Sequence, residues 1–178
     1  NQSFALVRPP GHHAMRDSAS GLCIFNNIVV AINFLRNEPQ FKKKIAIIDI
    51  DSHFGDGIAQ FFYEDPSILY FSIHEHDFIE GEKGFITELG EGDGLGTNIN
   101  VPVPLGLTDS DFLDCLSILP SILNQFQPKL IVVACGFDFH FSDPIGNGFL
   151  TSLSYYNFAR LLMELATELC EGKIFFFW

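Results

Sequence analysis

Along most of this chain, apolar residues come in short blocks bounded by polar or turn-forming residues. The runs IAIIDI, ILYFSI, LIVVA and KIFFFW are the clearest. Uninterrupted apolar runs of this length suit strands buried on both faces of a parallel sheet. They predict strands over residues 45–50, 68–73 and 130–134, another starting in 173–178, and a short one over 98–101. Between them the apolar spacing turns helical. A helix capped by Ser18 or Ser20 is expected through about Asn37, carrying Leu22, Phe25, Ile28, Val29, Ile32 and Leu35 on one side. Residues 57–63 predict a second helix, stopped near Asp65-Pro66. Thr108 can cap a third, running to about Phe126 and kinked or split at Pro120. Residues 154–171 give the strongest helical pattern, with Gly172 as its stop. Strands alternating with helices argue for βαβ crossovers, and hence an α/β fold of three α/β/α layers around a mostly parallel sheet.

Composition sharpens this picture. The chain has 178 residues, 47% of them hydrophobic, enough for one domain with a sizeable core. A net charge of -12 argues against nucleic acid as a direct partner and favours either cationic partners or simple solubility. From Glu75 to Asp93, seven carboxylates surround the single Lys83 in a Gly-rich stretch. This is either a solvated loop or an acidic rim that attracts lysine-rich or amine substrates. No apolar run reaches the roughly 18 residues of a membrane span. No signal peptide is recognisable, and none of the four cysteines forms a C-x-x-C pair. Reduced core cysteines, an intracellular location and no membrane partner are therefore expected. The chain opens at Asn1, without an initiator methionine and directly in motif-like sequence, as expected of part of a longer protein.

Chemistry concentrates in three places. Tandem His12 and His13 follow Pro9-Pro10-Gly11. Asp49, Asp51, Ser52, His53 and Asp56 crowd the end of the first strong strand. Asp138, with His140 and Asp143 nearby, follows the 130–134 run. On extended backbone Asp49, Asp51 and His53 would point the same way. In a parallel sheet the carboxyl ends of the strands share one edge, so Asp51, His53 and Asp138 can share one site. One histidine and two carboxylates make a catalytic rather than structural zinc set, because coordination positions stay open. Such a metal polarises a carbonyl and activates water. His12 and His13 would supply general base and acid, with Asp49 and Asp56 accepting their remaining ring N–H groups. His140 and Asp143 read as loop residues.

RPPGHHA (residues 8–14), SGLCIFNN (20–27), DIDSHFGDG (49–57), NINVPVPLG (98–106) and CGFDFHFSDPIG (135–146) stand in an order that resembles the histone deacetylase superfamily. That group includes acetoin-utilisation proteins and acetylpolyamine amidohydrolases. The resemblance covers nearly the whole chain and implies one partial catalytic domain over 1–178, with an arginase/deacetylase-like fold. It implies Asp51, His53 and Asp138 as zinc ligands, and His12 and His13 as the catalytic pair backed by Asp49 and Asp56. It places Gly21 and Leu22 along an acyl-lysine tunnel. It also implies a potassium ion held through carbonyls at the segment from Asp49 through Asp51 to His53, with Ser72 and Ile73. The implied reaction is hydrolysis of an acetamide, in acetyl-lysine of histones or other proteins or in acetylated polyamines, releasing acetate.

Departures accompany the match. Leu22 stands where the family usually has Phe, Phe54 where a second His is common, and Ser52 is unusual. The family's N-terminal part does not appear, and its Gly-Gly-Tyr motif, whose Tyr hydrogen-bonds the oxyanion, lies beyond the last residue here. That leaves a non-catalytic acyl-lysine binding module as the alternative. A binuclear manganese ureohydrolase is a weaker one, since it needs more ligands and the tandem histidines speak against it.

Overall fold

A computed structural model describes residues 2–38, 43–78 and 82–178. Its frame is one six-stranded sheet in the order β1-β6-β5-β2-β3-β4. The strands are β1 (Gln2–Ala5), β2 (Ile45–Asp49), β3 (Ile68–Glu75), β4 (Asn98–Val103), β5 (Leu130–Ala134) and β6 (Ile174–Phe177). Every pairing is parallel, so the sheet is more uniform than the mostly parallel one expected.

Helices cover both faces. All five residues of β2 are buried, and its alternating side chains enter two separate cores. Ile45 and Ile47 pack with Ile28, Val29 and Ile32 of α1 (Asn27–Asn37) and with Ile58 and Phe62 of α2 (Asp56–Phe62). Ala46 and Ile48 pack with α3 (Asp109–Leu116), α4 (Leu119–Phe126) and α5 (Ser152–Cys170), through Phe112, Leu116, Leu123, Phe158 and Leu162. Burying each large aliphatic side chain contributes about 1.5–3 kcal/mol. The result is the three-layer α/β/α architecture expected.

The chain runs outward from β2 to β3 and β4, then returns to lay β5 on the other side of β2. The strand order reverses between β2 and β5. In open parallel sheets the crevice at such a reversal, beyond the carboxyl ends of the strands, is where ligands bind. Here Asp49 pairs in register with Ala134, so the residues after each emerge side by side.

Several local expectations change. The first helix starts at Asn27, not Ser18 or Ser20. Gly21 and Leu22 both have positive φ, and Ser20 pairs with Cys23 across a tight antiparallel bridge, which no helix accommodates. Asn26 caps α1 instead, accepting from the N–H of Val29. The apolar Leu22 and Phe25 face outward rather than into a core. β1 was not predicted as a strand; it is a short edge strand on β6. β3 continues to Glu75, and β4 continues through Pro102, which the sheet tolerates because β4 is its other edge. The 108–126 pattern splits into α3 and α4, with Pro120 in the opening turn of α4, where its missing N–H costs nothing. α3 begins with a reciprocal cap between Thr108 and Asp111. Part of the acidic loop, residues 79–81, lies outside the described residues.

Candidate active site

Strand β2 ends at Asp49, and its backbone turns immediately. Oδ1 of Asp49 accepts the N–H of Asp51, and Oδ1 of Asp51 accepts the N–H of His53 at 2.9 Å. The expected same-face array on extended backbone therefore does not form. Asp49 stays buried in the sheet, while Asp51 and His53 swing on to the crevice. There they meet Asp138 from the loop after β5. One ligand atom of each of the three lies within 4.8 Å of the others. Nδ1 of His53 is 3.0 Å from Oδ1 of Asp51 and 2.8 Å from Oδ2 of Asp138. Hydrogen bonding to Asp138 and then to Asp51 outweighs partial burial and pushes the His53 ring up to about 10. Burial alone would raise the Asp51 carboxyl, but His12 and His53 beside it hold it below the usual range.

The tandem histidines stand against this cluster with their rings 4.0 Å apart. Nδ1 of His12 is 3.3 Å from Oδ2 of Asp49, which also accepts the Tyr70 hydroxyl at 3.0 Å. Nδ1 of His13 is 2.9 Å from Oδ1 of Asp56, in the first turn of α2. The loop is clamped from below, where the N–H of Ile58 in α2 donates to the carbonyl of His12. Both histidines thus spend Nδ1 on a carboxylate and leave Nε2 for other work. Burial would lower the His12 ring, but the carboxylates of Asp51 and Asp49 outweigh it and raise it to about 9.

Two glycines keep the space open. A Cβ on Gly21 would lie 2.2 Å from Cδ2 of His13, and its backbone is left-handed besides. A Cβ on Gly136 would lie 2.4 Å from Oδ2 of Asp51. Beside Gly21, Leu22 is 79% exposed. Ser72 and Ile73 do not join the cluster. Ser72 is buried with its hydroxyl on Nδ1 of His74, and Ile73 packs in the opposite core. His140 and Asp143 remain loop residues, Asp143 accepting the N–H groups of Ile145 and Gly146.

Two participants, Tyr70 and Gly136, carry no role in the sequence reading, and a third, Ser52, stands there only as part of the polar knot and as an unusual residue. Tyr70 steadies Asp49, and its signal is a hydroxyl inside the apolar ILYF run of β3. Gly136 makes room for Asp51. Ser52 donates its N–H to Oδ1 of Asp138 and its hydroxyl to Oδ2. The acidic stretch is also partly structural, since Glu88 accepts from the N–H groups of Gly84 and Phe85, and Glu75 from Asn147.

A model of the histone deacetylase domain matches residues 1–178. The chain belongs to the histone deacetylase family. Histone deacetylase 5 of Arabidopsis thaliana is 43% identical over 179 residues, covering 96% of this chain and 26% of that protein. A probable deacetylase of Archaeoglobus fulgidus is 35% identical, covering 97% and 47%. Polyamine deacetylase HDAC10 of Danio rerio is 38% identical, covering 92% and 25%. The crystal structure of the HDA15 HD domain matches with a TM-score of 0.86 at 34% identity, over 98% of this chain and 48% of that one. This deacetylase-family chain thus spans about a quarter to a half of the length of these relatives. Among its described residues no helix is long and apolar enough to cross a membrane.

The donor set fits zinc. One imidazole nitrogen and two carboxylates converge on a partly exposed spot at the mouth of the crevice, leaving coordination positions free.

Proposed function

We propose that this deacetylase-family segment carries the metal centre and proton-transfer groups for hydrolysis of an acetylated amine. The substrate would be an acetyl-lysine side chain of a histone or other protein, or an acetylated polyamine. The observation that carries the reading is convergence. An open His-carboxylate-carboxylate set lies against two histidines, each oriented by its own carboxylate.

Zinc would be held by Nδ1 of His53 and the carboxylates of Asp51 and Asp138. Bound there, it would supply polarisation of the amide carbonyl and activation of water. The rest is done by side chains. Nε2 of His12 lies 3.8 Å from Oδ2 of Asp51; once a bound cation offsets the carboxylates that raise its ring, it is placed to accept a proton from water beside that carboxylate. Asp49 fixes the His12 ring and stabilises the imidazolium formed. His13, fixed by Asp56, is placed to deliver a proton to the departing amine nitrogen. Water adds to the carbonyl carbon, the C–N bond breaks, and acetate and a free amine leave. Leu22, exposed beside Gly21, would form one wall for the apolar stem of the substrate.

The binding-module reading is not favoured, because the ligand set and both histidine–carboxylate pairs are complete in this segment. A binuclear manganese centre is not favoured either, since among the described residues the candidate cluster is a single three-residue group.

Elemental analysis of the purified 178-residue chain and of Asp138→Ala tests the metal assignment. One zinc per wild-type chain, lost in the variant, is the expected result. Zinc retained in Asp138→Ala would overturn the ligand assignment. Where deacetylation is assayed, His13→Ala should slow acetate release by about 10²–10⁴-fold.

A further inference from the structure

We propose that Ser52 is a positioning residue that sets the orientation of the Asp138 carboxylate for the metal. This rests on the metal-centre reading and extends it to a residue outside the ligand set.

Ser52 lies between the ligands Asp51 and His53 in sequence and is only 2% exposed. Its hydroxyl is shut off from bulk water and must find its partners inside the protein. It donates to Oδ2 of Asp138, while the Ser52 N–H donates to Oδ1 at 2.9 Å. One residue therefore holds both oxygens of a carboxylate 86 positions away. The remaining contact on Asp138 is with Nδ1 of His53, 2.8 Å from Oδ2. When that nitrogen turns its lone pair to a cation it has no proton to share, and the two Ser52 donors are what then orients Asp138.

The clamp itself is anchored. The carbonyl of Ser52 accepts the N–H of Glu75 at 2.8 Å, at the end of β3. Ser52 thus ties the loop after β2 to the end of β3 and the loop after β5, the three segments that frame the crevice. A carboxylate with each oxygen committed to one donor loses rotation about its terminal bond but keeps lone pairs for a metal. Partners of this kind typically change metal affinity 10–100-fold when removed. An aliphatic residue here would keep the N–H bond to Oδ1 and leave Oδ2 without its donor.

The experiment uses the full 178-residue chain. Zinc affinity is measured by competition with a chromophoric chelator, and the visible spectrum of the Co²⁺-loaded protein reports ligand geometry. Wild type, Ser52→Ala, Ser52→Thr and Asp138→Ala are compared, with the urea midpoint of each metal-free form recorded alongside. The expected result is a zinc Kd raised about 10–100-fold in Ser52→Ala with an altered cobalt spectrum. Ser52→Thr, which keeps the hydroxyl, should restore both even where its urea midpoint moves. Zinc affinity in Ser52→Ala within twofold of wild type, with an unchanged cobalt spectrum, would overturn the proposal. So would equal losses in Ser52→Ala and Ser52→Thr, which would assign the effect to packing. Asp138→Ala separates the two readings. If it too leaves zinc affinity unchanged, the metal assignment itself fails. If it alone abolishes binding, only the role of Ser52 does.

Discussion

Nε2 of His12 lies 3.8 Å from Oδ2 of Asp51, while Nδ1 of the same ring is turned to Asp49. A single imidazole therefore bridges a carboxylate sealed in the sheet and one that faces the crevice. Asp49 is fully buried and also accepts the Tyr70 hydroxyl, so the His12 ring is set by the sheet rather than by the mobile chemistry around a substrate. Asp49→Asn keeps the shape but reverses the hydrogen-bond preference at Nδ1. It should lower kcat for deacetylation by at least about 10²-fold, with zinc content unchanged. A kcat within twofold of wild type would remove His12 from the proton path.

Gly136 tests the crevice from the other side. It follows β5, and an added methyl would sit 2.4 Å from Oδ2 of Asp51 and 2.6 Å from its Cα. Since backbone cannot step aside cheaply, Gly136→Ala should displace Asp51. Overpacking of this sort typically costs about 1–3 kcal/mol. The expected outcome is substoichiometric zinc with a lower but still cooperative urea midpoint. Full zinc occupancy in Gly136→Ala would show that Asp51 is free to move without consequence.

Which of these relationships could be read in the sequence follows from their range. The apolar runs of β2 and β5 announce a doubly covered parallel sheet because burial on both faces leaves no polar alternation. Asp51 and His53 stand out because a polar knot at the end of such a run has no packing purpose. The start of α1 was misread because Leu22 and Phe25 keep a helical spacing with Ile28 and Ile32, while left-handed backbone at Gly21 and Leu22 interrupts the helix. Spacing cannot register a φ angle. β1 was missed because a four-residue edge strand exists only through β6, about the whole chain away. The Ser52–Asp138 contact was invisible for the same reason. A serine between Asp51 and His53 carries no mark of the partner 86 residues downstream.

Leu22 is expected to matter for substrate rather than for stability. Its φ of 64° is unfavourable for a residue with a Cβ, by roughly 1–2 kcal/mol, and its side chain is largely in solvent. Leu22→Gly removes that strain but loosens the unfolded chain by about 0.5–1 kcal/mol. The gain equals or exceeds the cost, so the urea midpoint should stay or rise slightly. KM for an acetyl-lysine peptide should rise several-fold, as an apolar wall is lost. A large fall in stability with KM unchanged would make Leu22 a structural residue.

His74 should make the fold acid-sensitive. It is buried on β3, with Nδ1 toward the Ser72 hydroxyl and Nε2 toward the Gly84 carbonyl. Burial lowers its ring to about 4, against 6.5 for an ordinary histidine. The unfolded chain therefore takes up a proton at this residue before the folded one does. Its contribution is complete above pH 6.5 and is lost as pH falls from there toward 4. At 1.36 kcal/mol per unit, this group alone should withdraw about 2 kcal/mol by pH 5. Urea midpoints of wild type and His74→Gln at pH 7.5 and 5.0 measure the difference. The variant has no proton to gain at this position, so its midpoint should fall less between the two pH values. Equal falls in both proteins would mean that another group, not His74, carries the acid sensitivity.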